Sequence, residues 1–205
     1  LPFSKPVHPL YNMRFAIIAL LAAAATSSAQ SVVGTAYGYG AGATGGGDAT
    51  AVTPTSNEEL EKYLADDTER VILLNKEFDF TGTTASGAGC DKSTCSAKSG
   101  GGQYYLGDLS CGGSDMTAVS SITYDAAGTT ALKVGSNKSI LGVGGKGVIK
   151  GKGLSIAKGA SNVIIQGVEF TTINPGIVWG GDALDMQGGN TKIWVGTYCP
   201  YASCV

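Results

Sequence analysis

Histidine is nearly absent from this chain of 205 residues, with His8 its one example. Charge is sparse too, at 15% Asp, Glu, Lys and Arg, and arginine occurs only at Arg14 and Arg70. Each shortage excludes something. Met13-Arg14 followed by FAIIALLAAAATSSA has a positive start, an apolar centre and a small-residue finish, the build of a secretory signal peptide over residues 13–29. Its apolar run falls short of the about 20 residues a membrane span needs. Residues 1–12 then read as an extension upstream of the natural start. His8 leaves with them, which excludes imidazole metal ligands and Ser-His or Cys-His catalysis from the mature chain. Removing residues 1–29 also takes Lys5 and Arg14 from the 14 basic residues, leaving 12 against 16 acidic ones, a net charge of −4. An acidic secreted protein lacks the clustered cations that hold nucleic acid or an anionic membrane.

What is there points to strands and loops. About 175 residues can bury a core in one domain, and Gly 32 with so little charge argues against a helical protein. Five cysteines fit the oxidising route that a signal peptide implies. Cys90, Cys95 and Cys111 sit in the Gly/Ser-rich insert GAGCDKSTCSAKSGGGQYYLGDLSCGG, whose apolar content is too low to order itself, so they are disulfide candidates. Their pairing is open, and an odd number of cysteines leaves one thiol over.

Residues 31–54 show no sustained period and read as an extended, glycine-rich lead-in. TSNEELEKYLADD is the one convincing helix: Ser56 with Glu59 three residues on makes a capping box, and Leu60, Tyr63 and Leu64 form one apolar stripe. RVILLNKEFDFTG follows as a strand-like run. From residue 131 short apolar strands recur, broken by Gly, Asn or Ser. The phrase SNKSILG at 136–142 returns as SNVIIQG at 161–167, with a weaker echo, GNTKIWV, at 189–195. Equating Ile140, Ile164 and Ile193 gives a period in the solenoid range. Few hairpin turn pairs separate these strands. The expectation is therefore an all-β solenoid of stacked coils with an N-terminal capping helix, one domain over residues 30–195, each strand pairing in parallel with its counterpart one turn later. Asn137, Asn162 and Asn190 would take equivalent left-handed corners, and the helix would cover the first layer. A β-sandwich is the rival.

With a secreted chain, a coil repeat and the phrase N-P-x-x-V-W-G-G-D-A at 174–183, the sequence resembles the fungal pectin lyases, in the polysaccharide lyase family that also holds the pectate lyases. The resemblance runs from VVGTAYGYGAGATGGGDAT through SITYDAAGTTALKVGSNKSILGVGGKGVIKGKGL to NPGIVWGGDAL. It implies a right-handed parallel β-helix, a secreted monomer that cleaves methyl-esterified homogalacturonan by β-elimination with no metal cofactor. Asp182 matches the family's active-site aspartate and Trp179 a cleft tryptophan, whose aromatic face can pack on a sugar ring. Tyr104 and Tyr105 are the only aromatics between Phe80 and Tyr124, and either line the cleft or pack under the loop.

Two departures qualify this. The resemblance puts catalytic arginines on later turns, and nothing here replaces them; Arg70 reads as a solvated cation at the helix C-terminus. After TKIWV the family pattern has an aspartate, a histidine and further turns where this sequence has GTYCPYASCV. Residues 196–205 therefore read as translated intron, in which Cys199 and Cys204 carry no structural information. Gly180, by contrast, favours the ester-specific reading, since it stands where a calcium-dependent pectate lyase would pair a second carboxylate with Asp182, and bound Ca²⁺ belongs only to that alternative. Asp185, the nearby carboxylate a hydrolase would need, is expected on the opposite face from Asp182 if both lie on one strand. A non-catalytic wall-binding protein is the remaining alternative. An incomplete solenoid would be inactive and prone to aggregate.

Overall fold

The computed structural model describes residues 31–196. The signal segment, His8, Cys199 and Cys204 lie outside the described residues. Helix α1 (Asn57–Ala65) begins at Ser56, whose Oγ accepts the Glu59 amide at 3.2 Å. The return half of the capping box lands one residue further back: Glu59 Oε2 accepts the Thr55 amide at 2.7 Å, while its Oε1 accepts the Tyr63 hydroxyl at 2.5 Å. Leu60 and Leu64 are wholly buried in the main core, so the helix does cover an apolar layer. Burying each such side chain is worth roughly 1.5–3 kcal/mol.

The run after the helix is two strands, β1 (Arg70–Leu74) and β2 (Glu77–Asp79), which belong to different sheets. The insert then supplies β3 (Thr84–Lys92), β4 (Tyr104–Leu106) and β5 (Met116–Asp125). Nine short strands follow: β6 (Leu132–Val134), β7 (Lys138–Gly142), β8 (Val148–Lys150), β9 (Leu154–Ile156), β10 (Ser161–Gln166), β11 (Glu169–Thr171), β12 (Ile177–Val178), β13 (Leu184–Met186) and β14 (Thr191–Gly196). All of these but β12, which joins β4 in the sheet of the insert, stack with β1 and β2 as three parallel sheets, β1-β7-β10-β14, β2-β8-β11 and β6-β9-β13. The chain visits the three in a fixed cyclic order, and every strand pairing between residues 131 and 196 is parallel. Ile72, Leu74, Ile140, Val163 and Ile165 from the first sheet, Phe78 and Ile149 from the second, and Leu132, Val134, Leu154 and Ile156 from the third meet in one core.

The register corrects the repeat by one residue. Ile140 lies beside Ile165, not Ile164, and Ile193 beside Val163. Strand alternation explains the slip: Ile164 points outward, and only the adjacent position enters the core. The corners shift with it. Asn137 and Asn162 are left-handed at φ 57 and 61, but the equivalent residue one turn later is Lys192, at φ 55, not Asn190. Asn190 instead satisfies two carbonyls of the turn below, its Nδ2 donating to Ala157 and Ala160 at 2.8 and 2.9 Å.

Lys138 takes the interior position that Val163 and Ile193 take on later turns. It is fully buried, and its ammonium donates to the carbonyls of Asp66, Thr68 and Ser136 at 2.8, 2.7 and 2.9 Å. Burial pulls its pKa down, opposed by the Asp66 carboxylate 3.5 Å away. Arg70 is committed to the same helix end: its Nε donates to Asp66 Oδ2 at 2.8 Å and its guanidinium lies 4.6 Å over the Tyr63 ring. The lead-in is pinned across the outer face of the first sheet. Val33 exchanges two hydrogen bonds with the Gln166 side chain, Asn162 Oδ1 accepts the amides of Thr44 and Gly45, and Ser139 Oγ accepts that of Gly46.

The insert orders itself through backbone pairing as well as a disulfide. β3 runs antiparallel to β5 from Thr84 opposite Asp125 to Lys92 opposite Met116, and to β4 at Gly89 and Cys90. Cys90 and Cys111 are bonded, with Cα atoms 5.7 Å apart, and Cys95 is a free, exposed thiol.

Candidate active site

The loop NPGIVWGGD is held by Asn174, a residue that composition and spacing did not single out. Its side chain is buried, with Oδ1 accepting the Asp125 amide at 2.8 Å and Nδ2 donating to the carbonyls of Asp125 and Gly180 at 2.9 and 2.7 Å. These bonds tie the loop to the end of β5. From there β12 pairs in parallel with β4, Ile177 beside Tyr104 and Val178 beside Tyr105. The chain then turns sharply, with Trp179 left-handed at φ 67 and Gly181 at φ 131. A side chain at Gly181 would strike the carbonyl of Gly128 at 2.0 Å.

That bend decides where Asp182 stands. β13 begins only at Leu184, so Asp182 precedes the strand and strand alternation does not govern it. Leu184 turns inward onto the core, and Asp185 turns outward. Asp182 and Asp185 therefore line the same groove, which corrects the expectation of opposite faces. Gly153 makes room for the bend: a Cβ there would sit 1.7 Å from the Asp182 carbonyl oxygen.

The groove holds about 470 Å³ and spans three successive turns. Gly128, Thr129, Thr130 and Ala131 come from the approach to β6, Ser155 from β9, and Trp179, Gly181, Asp182, Asp185 and Gln187 from the turn around β13. Trp179 is 55% exposed, yet its Nε1 donates to Ser110 Oγ at 3.0 Å, one residue before the bonded Cys111. Both oxygens of Asp185 accept from Gln187 Nε2, at 2.7 and 2.6 Å. Two acidic side chains and no basic one line the groove. Its neighbourhood suits an uncharged or esterified ligand over a dense polyanion, because like charges in a half-enclosed space repel.

The structure thus brings Trp179 and Asp182 together and leaves other predicted residues aside. Tyr104 and Tyr105, half-buried in the sheet between β3 and β12, are not among the groove residues. Arg70 stands with the helix, away from the groove. Ser155, Thr129, Thr130 and Gln187 went unread. The parallel register would have found Ser155, which lies directly beside Asp185. A larger hollow of about 600 Å³, between α1, β2 and the approach to β6, contains none of the predicted site residues.

The chain is 46% identical over 188 residues to a probable pectin lyase F-2 of Aspergillus terreus, covering 89% of this chain and 38% of that protein. It is 47% identical over 176 residues to a probable pectin lyase C of Emericella nidulans, covering 86% and 45%, and 46% identical over 186 residues to pectin lyase B of the same organism, covering 87% and 47%. By sequence the chain is a relative of the fungal pectin lyases. It spans less than half the length of these pectin lyases. No protein-family profile matches it.

Proposed function

We propose that the chain is part of a secreted pectin lyase, a right-handed parallel β-helix whose groove binds methyl-esterified homogalacturonan for cleavage by β-elimination. The observation that carries the reading is the meeting of Trp179 and Asp182 in one groove built across three turns, in a chain 46% identical to a probable pectin lyase. Trp179 offers a sugar ring an aromatic face already oriented by Ser110. Asp182 and Asp185 disfavour a free carboxylate beside them, and the methyl ester removes that charge.

The reaction takes the proton from C5 of a uronate ester, develops negative charge on the carboxyl group and expels the O4 oxygen, giving an unsaturated end. Charge of that kind needs preorganised positive groups facing the carboxyl, beyond neutral hydroxyl donors. The groove residues supply donors at Thr129, Thr130 and Ser155 but no cation. Residues 31–196 therefore bind substrate without completing its turnover. The test is ultraviolet absorbance of the unsaturated uronide, on highly methylated pectin with a chelator present. This chain is expected to bind the polymer and release no unsaturated product. Strict dependence of binding on added Ca²⁺ would favour the pectate lyase alternative, and efficient elimination by the chain alone would show that the groove already holds its catalytic groups.

A further inference from the structure

The outward side chains of the third sheet form a column that the groove only half uses. Lys133 on β6, Ser155 on β9 and Asp185 on β13 lie directly beside one another in register. Leu132 and Val134 on either side of Lys133 are buried, so Lys133 faces outward with Ala131, which lines the groove at the same strand end. Lys133 is exposed and makes no ion pair among the described residues, whereas Lys92, Lys138, Lys150 and Lys152 each have an acidic partner. Neighbouring strands lie about 4.8 Å apart, which separates Lys133 from Asp185 by roughly 9.5 Å along the stacking direction. Each rung is close to the advance of one unit of an extended pyranose chain. A polymer lying along the groove therefore meets two acidic side chains at one end and, two rungs away, an uncommitted ammonium.

Resting on the pectin-binding reading, we propose that Lys133 forms a subsite for a free uronate carboxylate, so that the groove recognises partly esterified galacturonan: an ester beside Asp182 and Asp185, and an unesterified unit about two sugars away at Lys133. An ammonium donates to a carboxylate but has nothing comparable to offer a methyl ester. The acidic pair fixes which end of the pattern goes where, because reversing it sets carboxylate against carboxylate.

Calorimetric titration of the 205-residue chain with oligogalacturonides of one length, fully, partly and not at all methyl-esterified, tests this. The partly esterified oligomers are expected to bind best, with a preference over the fully esterified form that fades in salt. Lys133→Gln should cut that preference by about two- to fivefold, the range for a solvent-exposed ion pair, without weakening the fully esterified oligomer, and Lys133→Arg should keep it. An unchanged preference in Lys133→Gln overturns the Lys133 subsite and leaves the pectin groove standing. No binding of any oligomer to the wild-type chain overturns both.

Discussion

Trp179 shows how a single side chain is made ready at this site. An exposed indole gains little from its own surroundings, and here one hydrogen bond to Ser110, anchored by the neighbouring Cys90–Cys111 bond, sets its direction. In a Trp194→Phe background, which leaves Trp179 as the sole tryptophan, Ser110→Ala should lower the fluorescence anisotropy of the indole, and Ser110→Thr should retain it. Equal anisotropy in all three would mean the bond does not hold the ring. Lys138 illustrates the opposite case, a cation taken wholly into the interior because the carbonyls of Asp66 and Thr68 after α1 and of Ser136 before β7 need a donor. Lys138→Met keeps the volume but orphans those acceptors, so stability in urea should fall by roughly 2–4 kcal/mol. A loss within a few tenths would show that water replaces the ammonium.

At the scale of elements, the corners govern the stack. Asn162 does two things: it accepts a left-handed φ of 61, and it ties the lead-in through Thr44 and Gly45 while its Nδ2 donates to Asn137 Oδ1 at 2.8 Å. Asn162→Ala loses both and should cost about 2–3 kcal/mol, while Asn162→Gly keeps the backbone freedom and should cost about half as much. Amide exchange at Thr44 and Gly45 should quicken in both variants; equal stability of the two would remove backbone strain from the account. The helix, the parallel strands and Asn137 with Asn162 were legible in the sequence, because caps, apolar runs and left-handed asparagines are local signals. The register was misread at Ile164 because an outward isoleucine buried under the lead-in looks like a core residue. The strands of the insert were hidden for the reverse reason: TASGAGCDK has no apolar alternation, and its pairing to β5 is carried by backbone groups. Of the site, Asp182 and Trp179 were found through a resemblance, and Asp185 was placed on the wrong face because the strand starts two residues later than the sequence pattern suggests. Ser155 and Lys133 become visible only once the turns are aligned.

For the molecule as a whole, acid is the revealing stress. Glu59 is held down to about 2, chiefly by the Tyr63 hydroxyl, and Asp79 to about 2, chiefly by Lys150. Both pKa values are depressed on folding, so their contribution is complete above the ordinary carboxylate range and drains away as pH falls toward 2. Urea midpoints should therefore be level from pH 7 to about 5 and decline between about pH 4.5 and 2, with a smaller decline in Glu59→Gln. A flat profile down to pH 2 would contradict the sign. The groove itself is assembled from three turns that are distant in sequence. Its most direct test is backbone amide shift mapping by NMR during titration with a methyl-esterified oligogalacturonide. The predicted result is a set of perturbations confined to Thr129–Ala131, Ser155 and Trp179–Gln187, saturating together at one affinity; perturbations centred elsewhere, such as the exposed Tyr37 and Tyr39 of the lead-in, or none at all, would contradict it.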